Sequence, residues 1–200
     1  MPVRKIFLSC LLAAGMLVAG SIAPAGLSGS AAAKGPGQVY LLRGLANIFS
    51  LGMDQLGQEL QREGIAAKTM NHVHWESIAA TIAADYRGKR ALGPIAIVGH
   101  SFGATAATLL TARLAEQGVP VALLVAYDPS FKVLVSANVK RAVAYRAKSF
   151  PGLTAGPRFR GSLENIVVDG PSGVVHMTLD KDAKLHTHTI GEIKRAFRRR

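Results

Sequence analysis

Pro94-Ile95-Ala96-Ile97-Val98-Gly99-His100-Ser101-Phe102-Gly103, with the Ala/Leu-rich run over residues 104–114 behind it, decides the reading of this chain. The apolar run has the length of a buried strand, and the run after it has the composition of a helix. Between them a serine sits in G-x-S-x-G. A strand-to-helix turn of this kind holds its serine in a strained backbone conformation and lifts the hydroxyl above the sheet edge. Side chains at 99 and 103 would collide with the neighbouring strand and helix, which accounts for the glycines. The expectation is a nucleophilic serine, and the rest of the chain must supply a base, an acid and N–H donors for an oxyanion.

Upstream, Gln38-Val39-Tyr40-Leu41-Leu42 reads as a buried strand ending at Arg43-Gly44. Residues 51–63 place Met53, Leu56 and Leu60 on one helical face, and Gly64 stops the helix. Residues 65–70 read as a second strand and 76–87 as a second helix. Downstream of the serine, the continuous apolar run 119–127 reads as a central strand stopped by Asp128-Pro129. Residues 139–147 suit a strand nearer the sheet edge, 148–161 a Gly/Pro-rich loop, and 164–168 the last strand. Gly170-Pro171-Ser172-Gly173 turns the chain toward His176, and a final helix covers about 183–197. Strands alternate with helices, so the fold class is α/β: a three-layer α/β/α sandwich around a mostly parallel sheet of about six strands, with no room for a cap domain.

The chain has 200 residues, 49% of them hydrophobic and 18% charged, which suits one globular domain. Residues 1–33 read as a secretory signal peptide. Arg4 and Lys5 form a basic start, residues 6–19 an apolar stretch, and Ala31-Ala32-Ala33 a cleavage site, leaving 34–200 as the domain; a cut near Ala23-Pro24-Ala25 and an uncleaved N-terminal anchor are the alternatives. The one cysteine, Cys10, falls inside the leader, so the exported protein would carry no disulfide. A periplasmic or secreted location follows from this reading. The formal charge of +12 is concentrated toward Lys194, Arg195, Arg198, Arg199 and Arg200, with Arg158 and Arg160 in a loop. That balance suits peripheral contact with an anionic membrane or envelope surface. No nucleic-acid motif accompanies it.

In a parallel sheet, reactive groups collect in the loops at the C-terminal ends of the strands. Of the six histidines, His176 is the best base, because it follows the last strand behind a Gly/Pro turn that can fold over the serine. His100 should point away from the pocket as a structural neighbour. His72 and His74 have an H-x-H spacing but lack an apparent third metal ligand. His186 belongs to the apolar face of the last helix, and His188 lies off it. Asp128, at the end of the central strand, is favoured as the acid that fixes the base's tautomer, and the order Ser101, Asp128, His176 suits that role. Asp169, only seven residues before His176, is the alternative. The backbone N–H groups of Phe102 and of Leu45, in the loop after the first strand, are the expected oxyanion donors. Leu45, Ile48, Phe49, Phe102, Phe131 and Met177 are candidates to line an apolar acyl pocket. This chemistry calls for no metal and no organic cofactor.

With Arg43-Gly44-Leu45, Gly99-His100-Ser101-Phe102-Gly103, Asp128-Pro129 and His176 in order, the chain resembles the α/β-hydrolase superfamily, in particular its small bacterial lipase- and thioesterase-like serine hydrolases. The resemblance runs from Gln38 to the C-terminus, and its most specific part is the serine turn. It implies a Ser-His-Asp triad made of Ser101, His176 and Asp128, an acyl-enzyme intermediate, and a carboxylic ester or thioester as substrate. The chain departs from the family pattern in two ways. It lacks the first two strands of the full family sheet, and the acid of many members follows the next strand along, where this chain has no carboxylate. The rival readings are a non-catalytic envelope binding protein on the same fold, and an amidase or peptidase using the same triad.

Overall fold

The computed structural model describes residues 37–45, 51–88 and 93–198. The leader read over 1–33, Ile48 and Phe49 lie outside the described residues. In chain order the main elements are β1 (Gln38–Arg43), α1 (Gly52–Arg62), β2 (Ala66–Asn71), α2 (Trp75–Arg87), β3 (Ile95–His100), α3 (Phe102–Glu116), β4 (Leu123–Tyr127), β5 (Val133–Val135), β6 (Arg141–Ala147), β7 (Leu153–Ala155), β8 (Ser162–Val168), α4 (Ser172–Thr178) and α5 (Ala183–Arg198). Six strands form one sheet in the order β2-β1-β3-β4-β6-β8, with every neighbouring pair parallel. Strands β5 and β7 pair separately, also in parallel.

Residues one apart on a strand face opposite sides, and this alternation splits the core into two layers. Tyr40, Leu42, Ile95, Ile97, Leu124, Ala126, Ala142 and Ala144 pack under α2 and α3. Val39, Leu41, Ala96, Val98, Leu123, Val125, Val143 and Tyr145 pack under α1, α4 and α5. Burial on both faces explains why β1, β3 and β4 read as unbroken apolar runs. From β1 the chain moves outward to β2, then returns to place β3 on β1's other side. The sheet's switch point therefore lies between β1 and β3, where ligand sites of such sheets form.

Four local readings change. The apolar run 119–127 is a strand only over Leu123–Tyr127, and Val121 makes a single bridge to Val139. Pro120 has no N–H to give a ladder, which interrupts the run. The loop read over 148–161 contains β7, three residues long and too short to show a period. The last strand begins earlier, at Ser162, and forms an exposed sheet edge. The turn read before His176 is the start of α4, a helix of seven residues that carries His176 itself.

Arg141, at the start of β6, ties α5 to the sheet. Its Nε donates to Glu192 Oε2 at 2.8 Å, and its Nη2 donates to Glu192 Oε1 and Glu164 Oε2, both at 2.7 Å. Arg195 lies 2.9 Å from Glu192 Oε1 as well. These cations, Arg141 foremost, hold the nearly buried Glu192 carboxyl down to about 2 from its ordinary 4.5. A depressed carboxyl stabilises the fold above its unfolded pKa and ceases to do so as pH falls toward the folded one. The expected outcome is a loss of about 2–3 kcal/mol as pH drops from about 4.5 to about 2. Glu192→Gln should flatten that acid limb in urea melts taken across this range, and an unchanged limb would show that the pair does not stabilise the fold.

Candidate active site

Ser101 stands between β3 and α3 at φ 57°, ψ −122°, a backbone conformation a side chain rarely tolerates. Two contacts hold it there. Its N–H donates to Tyr127 O at 2.8 Å, extending the β3–β4 ladder, and its C=O accepts from Ala104 N–H at 3.0 Å. The two glycines permit the close approach. A Cβ at Gly99 would fall 2.2 Å from Gly103 O, and one at Gly103 would fall 2.2 Å from Leu42 O.

Asp128 is the second non-glycine residue held at positive φ, 50°, and it is fully buried. Its N–H donates to Tyr145 O at 2.8 Å, and its Oδ1 accepts from Ala147 N–H at 2.9 Å. The other carboxylate oxygen, Oδ2, accepts from His176 Nδ1 at 2.8 Å. His176 Nε2 lies 3.2 Å from Ser101 Oγ. The structure thus joins Ser101, His176 and Asp128 in one hydrogen-bonded chain. Asp169 is exposed and forms no part of it.

With a carboxylate on Nδ1, that nitrogen carries the ring proton, and Nε2 faces the serine with its lone pair. This is the tautomer needed to accept the serine's proton. Two further contacts hold the ring. Phe150 stacks on it with centroids 4.2 Å apart and planes 9° from parallel. Arg146 Nη1 secures the Phe150 turn by donating to Lys148 O at 3.1 Å and Phe150 O at 2.9 Å. From below, His100 Nε2 donates to His176 O at 2.9 Å. Burial pushes the His100 imidazole below the ordinary histidine range, against the smaller opposing pull of Asp180, whose Oδ2 lies 3.8 Å from His100 Nδ1. His100 thus braces the backbone at His176.

The other histidines are placed elsewhere. His186 is buried and hydrogen-bonded to Glu59 Oε2 and Asp180 O, as a satisfied core histidine. His188 is exposed, with Nδ1 on Tyr145 Oη at 2.6 Å. His72 and His74 share a short 3-10 turn after β2. Among the described residues, no group of three or more His, Cys, Asp or Glu side chains could hold a metal.

Phe102 opens α3, so its N–H is among the four that an α-helix leaves without an intrahelical acceptor. Leu45 follows β1, whose last carbonyls abut Gly103. Leu45, Phe102, Phe131 and Met177 are exposed, and Phe102 meets Phe131 edge-on at 5.7 Å. Leu45, Phe102 and Phe131 all lie in segments that follow the C-terminal ends of strands, the end of the sheet that carries the serine.

Sequence reading did not single out Ser130 or Phe150. Ser130 Oγ lies 3.2 Å from Ser101 Oγ, and it belongs to the strand-end loop that already carried Asp128. A count of hydroxyls in that loop is the signal that would have found it. Phe150 offers no such signal, since only the bend after β6 brings it to His176.

The thioesterase domain model matches residues 49–166, more than half of the chain. The chain belongs to the thioesterase domain family. The span matched by the thioesterase model includes Ser101 and Asp128 and stops before His176. Solved structures share the fold at low identity. The product of the Listeria innocua gene lin2722 is 15% identical, with a TM-score of 0.58 over 80% of this chain and 94% of that one. Human thioesterase 2 is 10% identical, with a TM-score of 0.54 over 81% and 98%. The RedJ thioesterase of the prodiginine biosynthetic pathway in Streptomyces coelicolor is 13% identical, with a TM-score of 0.52 over 82% and 95%. No curated protein matches the chain. Both the sheet order and these likenesses make this an α/β-hydrolase fold, as the serine turn led one to expect.

Proposed function

We propose that this thioesterase-family protein is a serine hydrolase that cleaves a carboxylic ester or thioester through an acyl-enzyme. The observation that carries the reading is the hydrogen-bonded chain from Ser101 Oγ through His176 to Asp128 Oδ2. His176 Nε2 takes the Ser101 proton as Oγ bonds to the acyl carbon, and the carbonyl π pair moves onto oxygen. The N–H groups of Phe102 and Leu45 meet that oxyanion. When the tetrahedral carbon collapses, the bond to the leaving oxygen or sulfur breaks, and the leaving group takes the proton from Nε2. Water then adds to the acyl-serine, giving its proton to Nε2. Collapse of the second intermediate releases the acid and returns that proton to Oγ. Asp128 stays ionised and steadies the imidazolium in both halves. The exposed Phe102 and Phe131, in edge contact next to the serine turn, suit an acyl chain.

Export, and contact of the basic surface with an anionic membrane or envelope, remain part of the proposal on the strength of the leader-like residues 1–33 and the +12 charge. An exported enzyme would meet lipid and other acyl esters rather than cytosolic coenzyme-A thioesters.

The test is labelling with an active-site fluorophosphonate, followed by a panel of chromogenic esters, thioesters and amides of graded acyl length. Label is expected on Ser101, with turnover of esters or thioesters and none of amides. Ser101→Ala is expected to lose the label and at least about 10³ in kcat. Ester turnover that survives Ser101→Ala would overturn the reading.

A further inference from the structure

The nucleophile has two hydrogen-bonding neighbours, not one. Besides His176 Nε2, Ser101 Oγ lies 3.2 Å from Ser130 Oγ. The protons around this oxygen can be placed. Asp128 Oδ2 accepts a hydrogen bond from His176 Nδ1–H, so Nε2 is an acceptor and Ser101 O–H donates to it. Ser101 Oγ then has only lone pairs to offer Ser130, and the Ser130 hydroxyl is the donor. We infer that Ser130 is a further catalytic residue, whose O–H stabilises the negative charge that develops on Ser101 Oγ. The inference rests on the proposed nucleophile.

The backbone shows how the position is held. Asp128, at positive φ, is pinned by Tyr145 O and Ala147 N–H, and buried Pro129 fixes the next step of the chain. The same tight turn therefore aims the Asp128 carboxylate at His176 and, two residues on, the Ser130 hydroxyl at the serine. Its part in the reaction follows from the charge on Oγ. As the Ser101 proton passes to Nε2, Oγ becomes more anionic, and the Ser130 hydrogen bond strengthens. In the acyl-enzyme Oγ is an ester oxygen, a poor acceptor, and the bond weakens. When the second tetrahedral intermediate expels Oγ, charge returns to it and the bond strengthens again. Ser130 neither gains nor loses a proton in the cycle. A donor that binds the transition states more tightly than the flanking ground states raises kcat.

The experiment compares wild type, Ser130→Ala and Ser130→Thr by the second-order rate of fluorophosphonate labelling, by kcat and KM on the best ester or thioester, and by thermal melting. Ser130→Ala is expected to label Ser101 about 10- to 100-fold more slowly, with a similar fall in kcat, as for a lost hydrogen bond to a charged group. KM should stay within about twofold and melting within about 2 °C. Ser130→Thr keeps the hydroxyl and should restore most of the rate. Labelling of Ser130→Ala at the wild-type rate overturns this inference while leaving Ser101 as nucleophile. A slow Ser130→Ala with a collapsed melting curve, or one that Ser130→Thr does not rescue, marks a structural role and also overturns it. Wild-type protein that takes no label on Ser101 overturns both readings.

Discussion

Asp128→Asn is expected to lower kcat by about 10⁴ while the protein stays folded, the cost of a histidine held in the wrong tautomer. Asp128 Oδ1 is already committed to Ala147 N–H, so an asparagine keeps its oxygen there. Its NH₂ group then faces His176 Nδ1. That nitrogen must become the acceptor, and the ring proton moves to Nε2, where it confronts the Ser101 hydroxyl as a second donor. The nucleophile then has no base. Shape and backbone contacts are kept, so melting should change little. Asp169→Asn is the matched control, since Asp169 is exposed and forms no part of the chain of hydrogen bonds; its kcat should stay near wild type. A loss of less than about tenfold in Asp128→Asn would remove Asp128 from the proposed triad.

Gly103→Ala should damage the fold severely. Its Cβ would fall 2.2 Å from Leu42 O and 2.6 Å from Arg43 O. Both are backbone atoms of β1, which is hydrogen-bonded to β2 on one side and β3 on the other and cannot recede. The clash must be relieved by moving α3 or tearing the end of β1, at an expected cost of at least about 3 kcal/mol. For a domain of this size that lowers the melting temperature by roughly 6–12 °C. Activity should fall further than stability alone explains, because the displaced segment leads directly to Leu45, the proposed oxyanion donor. Gly191→Ala serves as the comparison: its Cβ in α5 would meet only Arg195 Nη1, at an ordinary 3.5 Å. That replacement should leave the protein as stable as before or slightly more so. Equal melting curves for the two variants would refute the close-approach account.

The features legible in the sequence were those with a local physical cause. The serine turn needs its glycines within two residues of Ser101, and strands buried on both faces must be apolar throughout, so β1, β3 and β4 showed themselves. The position of Asp128 was visible because a proline follows it and ends the strand. What escaped depends on contacts between distant segments. Helix α4 is too short to show a period, so His176 read as a loop residue. Strands β5 and β7, three residues each, have no pattern of their own and exist through mutual pairing. Phe150 reaches His176 through the Arg146-braced bend after β6. Asp180 was not distinguished from any other acid near a helix start, yet it is wholly buried, accepts from Gly52 N–H at 3.1 Å and faces His100. Sequence order favoured Asp128 over Asp169 as the acid, although both end strands, and the structure puts Asp128 Oδ2 against His176 Nδ1.

The order of the sheet also sets a timetable. After β3 joins β1, each later strand of the main sheet is added to the same side: β4 on β3, β6 on β4, β8 on β6. A chain leaving the ribosome can lay down the sheet in that sequence, N-terminal part first. Ser101 and Asp128 are then in place well before His176, which lies 75 residues beyond the serine. Until α4 docks, the emerging protein has the serine and the carboxylate of the proposed triad but lacks its base. If the proposed triad holds, hydrolytic competence arrives with the closing steps of folding, and a molecule cut short before α4 is expected to turn over no ester.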